Sequence, residues 1–255
     1  MTLMDRSWWQ AFFDHADSLV LSRFPSAAET REEIAALRRL VPLRPEDLIA
    51  DICCGMGRHL LPLMALGHRL VGLDFSPMML RLAREMGARA GLSPTLTQGA
   101  AQALPFAAQT FDVVLNLFNS FGYLPTDDEN QRVLDEAARC LKPGGRFFLD
   151  TRNKTHQIIY APYREVMRVG RREYVMRCRY DREAQRLESD WFDGNDQSRL
   201  VHQASIRLYG PDELATMLAE AGLEIVARYG GYDGKDFEGW ERELLLLCHK
   251  RETAP

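Results

Sequence analysis

Five short apolar runs punctuate the chain, at 47–53, 68–73, 95–98, 111–118 and 146–150. Between them, apolar residues recur at three- and four-residue spacing. Short apolar runs bounded by turn residues read as strands buried on both faces, and the wider period reads as helix. Helices are predicted over 27–40, 58–66, from 77 onward, and over 127–140. The first carries Ile34, Leu37, Leu40 and Val41 on its apolar side, and the third carries Met78, Met79, Leu82, Ala83 and Met86. The punctuation agrees. Ser26 with Glu29, and Thr126 with Glu129, are spaced as capping boxes. Ser76 caps a helix whose first residue is Pro77. Gly67 follows a helix end, and Pro42 and Pro45 stop another. Leu141-Lys142-Pro143-Gly144-Gly145 is a helix stop and turn. Strands alternating with helices predict a parallel sheet of α/β type.

The two ends differ from this rhythm. Residues 4–21 read as a helix with Trp8, Trp9, Phe12, Phe13, Ala16, Leu19 and Val20 on one broad face. Such a helix either docks on the core or folds over a ligand mouth as a lid, with Arg6, His15 and Arg23 turned inward. From 163 to 209 the period falls to two, in stretches at 165–169, 172–180, 186–192 and 200–208 separated by turns at 169–171 and 193–196. That is an antiparallel meander with one wet face, too small to stand alone, and it reads as a cap or dimer surface beside a ligand mouth. Arg164, Arg168, Arg171, Arg172, Arg177, Arg179, Arg182 and Arg186 make it basic, and interleaved acids offset the charge. Cross-strand ion pairs and an anionic substrate are the two readings. A helix over 211–221, a strand over 223–229, a loop over 230–234 and a strand over 242–249 close the chain.

Composition narrows the class. With 46% hydrophobic residues, 255 residues can bury a large core. The net charge of −4 gives no electrostatic case for a nucleic-acid partner. Five cysteines, an odd number without a C-x-x-C pair, argue against a disulfide framework or zinc site and for a reducing cytoplasm. The N-terminus does not read as a signal peptide, and no apolar window is long enough for a membrane span.

The chemistry centres on Leu48–His59, L-I-A-D-I-C-C-G-M-G-R-H. An apolar strand ends in Asp51, then enters a turn where Gly55 and Gly57 let a ligand lie against the backbone. A dinucleotide site wants a third glycine where Leu60 stands. S-adenosylmethionine (SAM) has no phosphates, and its ammonium and sulfonium favour a carboxylate such as Asp51. An ordinary strand–helix turn is the bland alternative. Asp74, at the tip of the second strand, is placed to accept both hydroxyls of a ribose.

Taken together, D-I-C-C-G-M-G-R-H, G-L-D-F-S-P-M-M-L, Q-G-A-A-Q-A-L-P-F, F-D-V-V-L-N-L-F-N-S-F-G-Y and L-K-P-G-G-R-F-F-L-D resemble the class I SAM-dependent methyltransferases in order and spacing over 48–151. The W-W-x-x-F-F-D segment and the C-terminal half resemble a small-molecule branch that carries an antiparallel sheet after the fifth strand. The resemblance implies a Rossmann-like, seven-stranded, mostly parallel sheet with a closing β-hairpin, plus a small antiparallel β cap. The expected division is an N-terminal helical lid over 1–46, a SAM-binding domain over 47–162 and 209–255, and the cap over 163–208.

Roles follow by resemblance. Asp51, Cys53, Gly55 and Gly57 would surround the methionine part of SAM. Asp74 would hold the ribose, with Phe75 against the adenine. Ala100 and Ala101 would line the adenine pocket, with Gln102 at its edge. Asn116 would offer its backbone carbonyl to the amino group, and Leu117, Phe118 and Ser120 would line the sulfonium side. Arg58 would either contact the cofactor or make a structural salt bridge. The family often has an acid where Ala100 stands, so adenine readout would fall to Gln102 or a backbone carbonyl.

The resulting expectation is a cytoplasmic enzyme, with a homodimer as a candidate assembly, that methylates a nitrogen or oxygen of a small molecule, releasing S-adenosylhomocysteine (SAH). It needs no metal, nucleic acid or membrane. Trp9, Asn119, Tyr123, Arg152, Asn153 and Tyr209 would line the acceptor pocket. His156, Tyr160, His202, Tyr209 and Tyr232 are the candidate bases. A non-catalytic SAM-binding module and an NAD(P)-dependent oxidoreductase are the alternatives.

Overall fold

The computed structural model describes residues 8–14, 25–169 and 171–251. A seven-stranded sheet has the order β10-β11-β5-β4-β1-β2-β3. Its parallel strands are β1 (Leu48–Ile52), β2 (Arg69–Asp74), β3 (Thr95–Gln98), β4 (Phe111–Asn116) and β5 (Leu141–Arg152). The last two strands, β10 (Leu223–Tyr229) and β11 (Glu243–Lys250), form the antiparallel hairpin, and β11 pairs with β5.

The continuous apolar runs divide by alternation. Ala50, Ile52, Val114, Phe147 and Leu149 face one way, onto helices α5 (Asp127–Cys140) and α7 (Pro211–Glu220). Ile49, Val113, Leu115 and Phe148 face the other, onto α2 (Ala27–Leu40), α3 (Leu60–Ala65) and α4 (Pro77–Arg89). Because each run is covered on both sides, each reads as uniformly apolar. Both predicted capping boxes are present. Ser76 caps α4, accepting a hydrogen bond from Met79 N at 3.2 Å.

Several details depart from the sequence reading. The buried stripe of α4 is Met79, Leu80, Ala83 and Gly87, and Met86 is exposed. A strict helical stripe one residue earlier satisfies the same spacing, and only the packing chooses between them. Strand β4 ends at Asn116, because Phe118 and Asn119 both take left-handed backbone angles, φ 56° and 58°. The L-K-P-G-G turn is an irregularity inside β5, between the pairings of Leu141 and Arg146 with β4. A short helix, α6 (Lys154–Tyr160), follows β5 and was not expected.

The cap is a separate antiparallel sheet in simple order: β6 (Tyr163–Val169), β7 (Arg172–Asp181), β8 (Arg186–Asp193) and β9 (Leu200–Arg207). It is joined to the main sheet at one corner. Arg207 N donates to Gly122 O at 2.8 Å, and Tyr209 OH donates to Asp127 Oδ1 at 2.8 Å. Arg207 bridges Asp127 and Glu213, which also meets Lys154 at 2.6 Å. Burial raises the Glu213 carboxyl, but Lys154, the Gly210 amide and Arg207 outweigh it and pull it down to about 2.

Helix α1 (Trp8–Asp14) lies between cap and sheet. Trp8 stacks on Tyr123 at 5.6 Å, Phe12 meets Trp191 at 6.3 Å, and Trp9 meets Phe75 edge-on at 4.5 Å. The rest of the expected 4–21 helix, with Arg6, His15 and Arg23, lies outside the described residues. Among the described residues no helix is long and apolar enough to cross a membrane, and none of the His, Cys, Asp and Glu side chains group as metal ligands.

Candidate active site

A cavity of about 1040 Å³ opens at the carboxyl ends of the parallel strands, under α1 and the cap. Open α/β sheets bind ligands there because helix–strand turns leave a crevice where the strand order reverses. Here the reversal is between β1 and β4, so the cavity has two halves.

The first half lies over the tips of β1 and β2. Its turn is bent by Cys53 and Gly55, at φ 63° and 55°. A Cβ added to Gly55 would meet nothing within 4 Å, so the backbone faces open space. Asp74 clamps the turn. Its Oδ2 accepts from Gly55 N at 2.8 Å and its Oδ1 from Ser76 N at 2.9 Å. Asp51 is 2% exposed, and burial, with Asp74 close by, pushes its carboxyl up to about 7. Such an acid is short of a cation.

Arg58 makes the structural salt bridge that was one of its two expected roles. Its Nη1 donates to Glu33 Oε2 at 2.6 Å and to Thr30 Oγ1 at 3.3 Å. Its Nε and Nη2 are buried without a partner, on the cavity wall. The guanidinium also lies 4.3 Å from the centre of the Phe118 ring. His59 Nε2 is 2.9 Å from the same Glu33 oxygen. Burial opposes the charge on Glu33, but His59 and Arg58 hold its carboxyl below the usual range. Phe75, Ala100, Ala101 and Gln102 complete this half.

The second half lies over the tips of β4, β5 and β11. Leu117, Phe118, Asn119, Ser120 and Tyr123 form one wall, with Trp8 and Trp9 beside them. Asp150, Arg152, Tyr232, Arg242 and Glu243 form another. The cap contributes Met176, Leu187, Trp191 and Ala204. Phe118 and Asn119 are consecutive non-glycine residues in the left-handed region, a costly arrangement that clusters at ligand sites. It aims Phe118 N at Asp150 Oδ2, 2.9 Å away, and Asn119 N at Asp150 O, 3.1 Å away.

Most of the residues expected to line the cofactor and acceptor sites reach this cavity, and four do not. Gly57 sits below the turn, where its added Cβ would be 3.1 Å from Leu61 Cγ, so it serves helix packing. Asn116 has a fully buried side chain beneath the wall, beside Cys53. Asn153 caps α6, accepting from Thr155 N, and its Nδ2 donates to Gly239 O and Glu241 O. Tyr209 belongs to the cap corner. None of the cap arginines reaches the wall. Arg179 pairs with Glu188 and Asp190, Arg168 with Glu173, and Arg186 with the carbonyls of Leu124 and Ser205. Ion pairing and docking therefore account for these three.

Glu33, His59, Asp150, Arg242 and Glu243 were not singled out as site residues. Asp150 carried a usable signal: it ends an apolar strand, as Asp51 and Asp74 do. Glu33, Arg242 and Glu243 reach the wall through long-range folding and carried none, whereas His59 closes the glycine-turn stretch itself.

Residues 49–145 match a family model described as "Methyltransferase domain". The chain is 31% identical over 185 residues to the demethylmenaquinone methyltransferase of Shouchella clausii, covering 69% of this chain and 70% of that one. Among solved structures, the CcbJ methyltransferase from Streptomyces caelestis superposes with a TM-score of 0.75 at 25% identity, over 93% of this chain and 96% of that one. A SAM-dependent methyltransferase from Clostridium acetobutylicum also gives 0.75, at 18% identity, over 96% and 99%.

Proposed function

The chain belongs to the class I SAM-dependent methyltransferases, and from that premise we propose that it methylates a nitrogen or oxygen atom of a small molecule held between the β4–β5 tips, α1 and the cap. The observation that supports this most is the two-part cavity: a half with bare glycine backbone and buried acids at the β1–β2 tips, and an aromatic half adjoining it.

The residues of the first half suit SAM. Gly55 presents bare backbone to open space, Asp51 is a buried acid in want of a cation, and Arg58 keeps two unpartnered donors. In this reading Asp51 takes the amino group or sulfonium, and Arg58 takes the carboxylate. Asp74 holds the ribose, while Phe75, Ala101 and Gln102 enclose the adenine. When bound, SAM supplies an electrophilic methyl group on a positively charged sulfur. What the chain contributes is alignment and exclusion of water. Trp8, Trp9, Phe118 and Tyr123 close the approach, and aromatic faces favour a nearby cation. Nothing in this half is built for a nicotinamide cofactor, since Leu60 is a fully buried core residue where the third glycine would stand.

Calorimetry tests the reading. SAH should bind the wild-type protein, and Asp74→Ala should weaken it about 10- to 100-fold through loss of a charged acceptor. Equal binding of NADH, or SAH binding indifferent to Asp74→Ala, would overturn it.

A further inference from the structure

Asp150 has no role in the cofactor half, yet it is among the most deliberately held side chains in the molecule. It ends the apolar run of β5 and is 2% exposed. Two donors converge on a single oxygen: Phe118 N at 2.9 Å and Tyr232 OH at 2.9 Å both reach Oδ2. The other oxygen, Oδ1, is buried with no protein partner, although Asp150 forms part of the cavity wall. A buried carboxylate oxygen left unmatched costs free energy unless something else meets it. The Phe118–Asn119 backbone is distorted into the left-handed region to hold this carboxylate, which fixes its orientation.

A second acid lies diagonally across the β5–β11 pair. Glu243 pairs with Arg152 in the β5–β11 register, and Asp150 pairs with Leu245. The charged and titratable groups around them are Glu33 on α2, Arg58 after β1, Arg152 on β5, Tyr232 in the hairpin loop and Arg242 before β11. Arg58 is already shared with Glu33. Burial raises the Asp150 carboxyl despite its two hydrogen bonds, and burial together with Asp150 pushes Glu243 up to about 7. Arg242 and Arg152 offset part of the charge on Glu243, and Asp150 Oδ1 is left without a protein partner.

We infer that Asp150, steadied by Tyr232, receives the proton of the acceptor, and that the acceptor is a basic amine carried on an apolar body. The amine enters as its ammonium ion. Its N–H bond breaks and an O–H bond forms at Asp150 Oδ1. The lone pair left on nitrogen forms the new N–C bond to the methyl group, and the C–S pair remains on sulfur, leaving neutral SAH. The apolar body lies against Trp8, Phe12, Tyr123 and Trp191, whose ring faces also favour a cation. Tyr232 is not the base. Burial and the Asp150 carboxylate raise its phenol far above the ordinary value, so it stays protonated and donates. His156, Tyr160 and His202, the other candidate bases, are absent from the wall. A carboxylate suits an ammonium proton far better than an alcohol proton, because base strength must match the group it relieves.

This inference rests on the proposed function, and the test separates the two. SAH binding to wild type, Asp150→Asn and Tyr232→Phe is measured first by calorimetry. Affinities within about threefold of one another show that the cofactor half and the fold are intact. Failure of wild type to bind SAH would sink the proposed function and this inference with it. The SAH complexes are then titrated with benzylamine and with benzyl alcohol, following thermal stability. Benzylamine should stabilise wild type and benzyl alcohol should not, and Asp150→Asn should lose at least about tenfold in benzylamine affinity. Tyr232→Phe removes one donor to the charged carboxylate, so the acidic limb of benzylamine binding should move to higher pH. The inference is overturned if amine and alcohol act alike, if neither has an effect, if Asp150→Asn binds benzylamine as wild type does, or if the Tyr232→Phe limb does not move.

Discussion

The two halves of the cavity are built in different ways. The half over β1 and β2 is local: Asp51, Cys53, Gly55 and Arg58 lie within one strand–turn, and Asp74 reaches back to it through one hydrogen bond to Gly55 N. The half over β4, β5 and β11 is assembled from distant pieces. Phe118, Asp150 and Tyr232 meet there, joined by helix α1 and a cap anchored at one corner. A local turn can bind the same cofactor in many proteins, while an assembled wall can be changed piece by piece to suit an acceptor. The halves should therefore fail separately when altered.

The largest effect is expected at the cap corner. A Cβ on Gly122, at φ 91°, would lie 2.2 Å from Arg207 O, so Gly122→Ala must push β9 away from the β4 loop. A loss of about 2–4 kcal/mol is expected, from backbone conflict at a left-handed position. Hydrogen exchange should accelerate in β9 and at the start of α5, while β1 and β2 keep their protection and SAH affinity changes by less than about threefold. If β1 and β2 lost protection too, the halves would be one cooperative unit.

Next in size is Gly55→Ala. The left-handed angle costs about 1–2 kcal/mol of stability. Its new methyl would stand where the ligand belongs, so SAM affinity should fall about 100-fold, more than the strain explains. Gly67 is the control, since it too is left-handed with open space around it but lies far from the cavity wall. Gly67→Ala should show the stability loss in a melting curve with unchanged SAM affinity. Matching effects at both glycines would remove the reason for placing a ligand at Gly55.

Asp51 should give a smaller, pH-dependent effect. Its carboxyl is pushed up to about 7, so its charged form is lost as pH falls through that value. A cationic ligand binds the charged form, so SAM affinity should weaken below about pH 7 by up to tenfold per unit. Asp51→Asn should bind more weakly and lose that dependence. A wild-type affinity that stays flat across about pH 6 to 8 would exclude Asp51 as the cation's partner.

The same contrast explains what could be read from the sequence. Strand tips, glycine turns and caps are written in neighbouring residues, so Asp51, Gly55, Asp74 and both capping boxes were legible. The mostly parallel sheet with its closing hairpin and the cap meander followed from period and resemblance. Asn153 and Tyr209 follow strand ends too, but their side chains turn to a helix cap and to Asp127. Strand position alone does not say which way a side chain faces. Glu33 and Glu243 lie far from Arg58 and Asp150 in the chain, and nothing local marks them as partners. Asp150 was legible in principle, and what hid it was the absence of any nearby glycine turn to draw attention to the strand tip.

The smallest effect is expected at Arg179, and it separates the two readings of the arginine-rich cap. Its side chain is 61% exposed and meets Glu188 and Asp190 on the neighbouring strand. Exposed pairs of this kind contribute little, because water screens the attraction and ordering two long side chains opposes it. Arg179→Gln should shift the melting temperature by no more than about 2 °C. It should leave SAH affinity and benzylamine binding to the SAH complex unchanged, because Arg179 is not part of the cavity wall. Arg186, by contrast, is half-buried and donates to Ser205 and to Leu124 O, so its loss should register in stability. If Arg179→Gln instead weakened binding of an anionic ligand while the melting curve stayed in place, the cap's charge would belong to substrate capture. The acceptor half would then extend beyond the wall formed by Asp150, Tyr232 and the aromatic cluster.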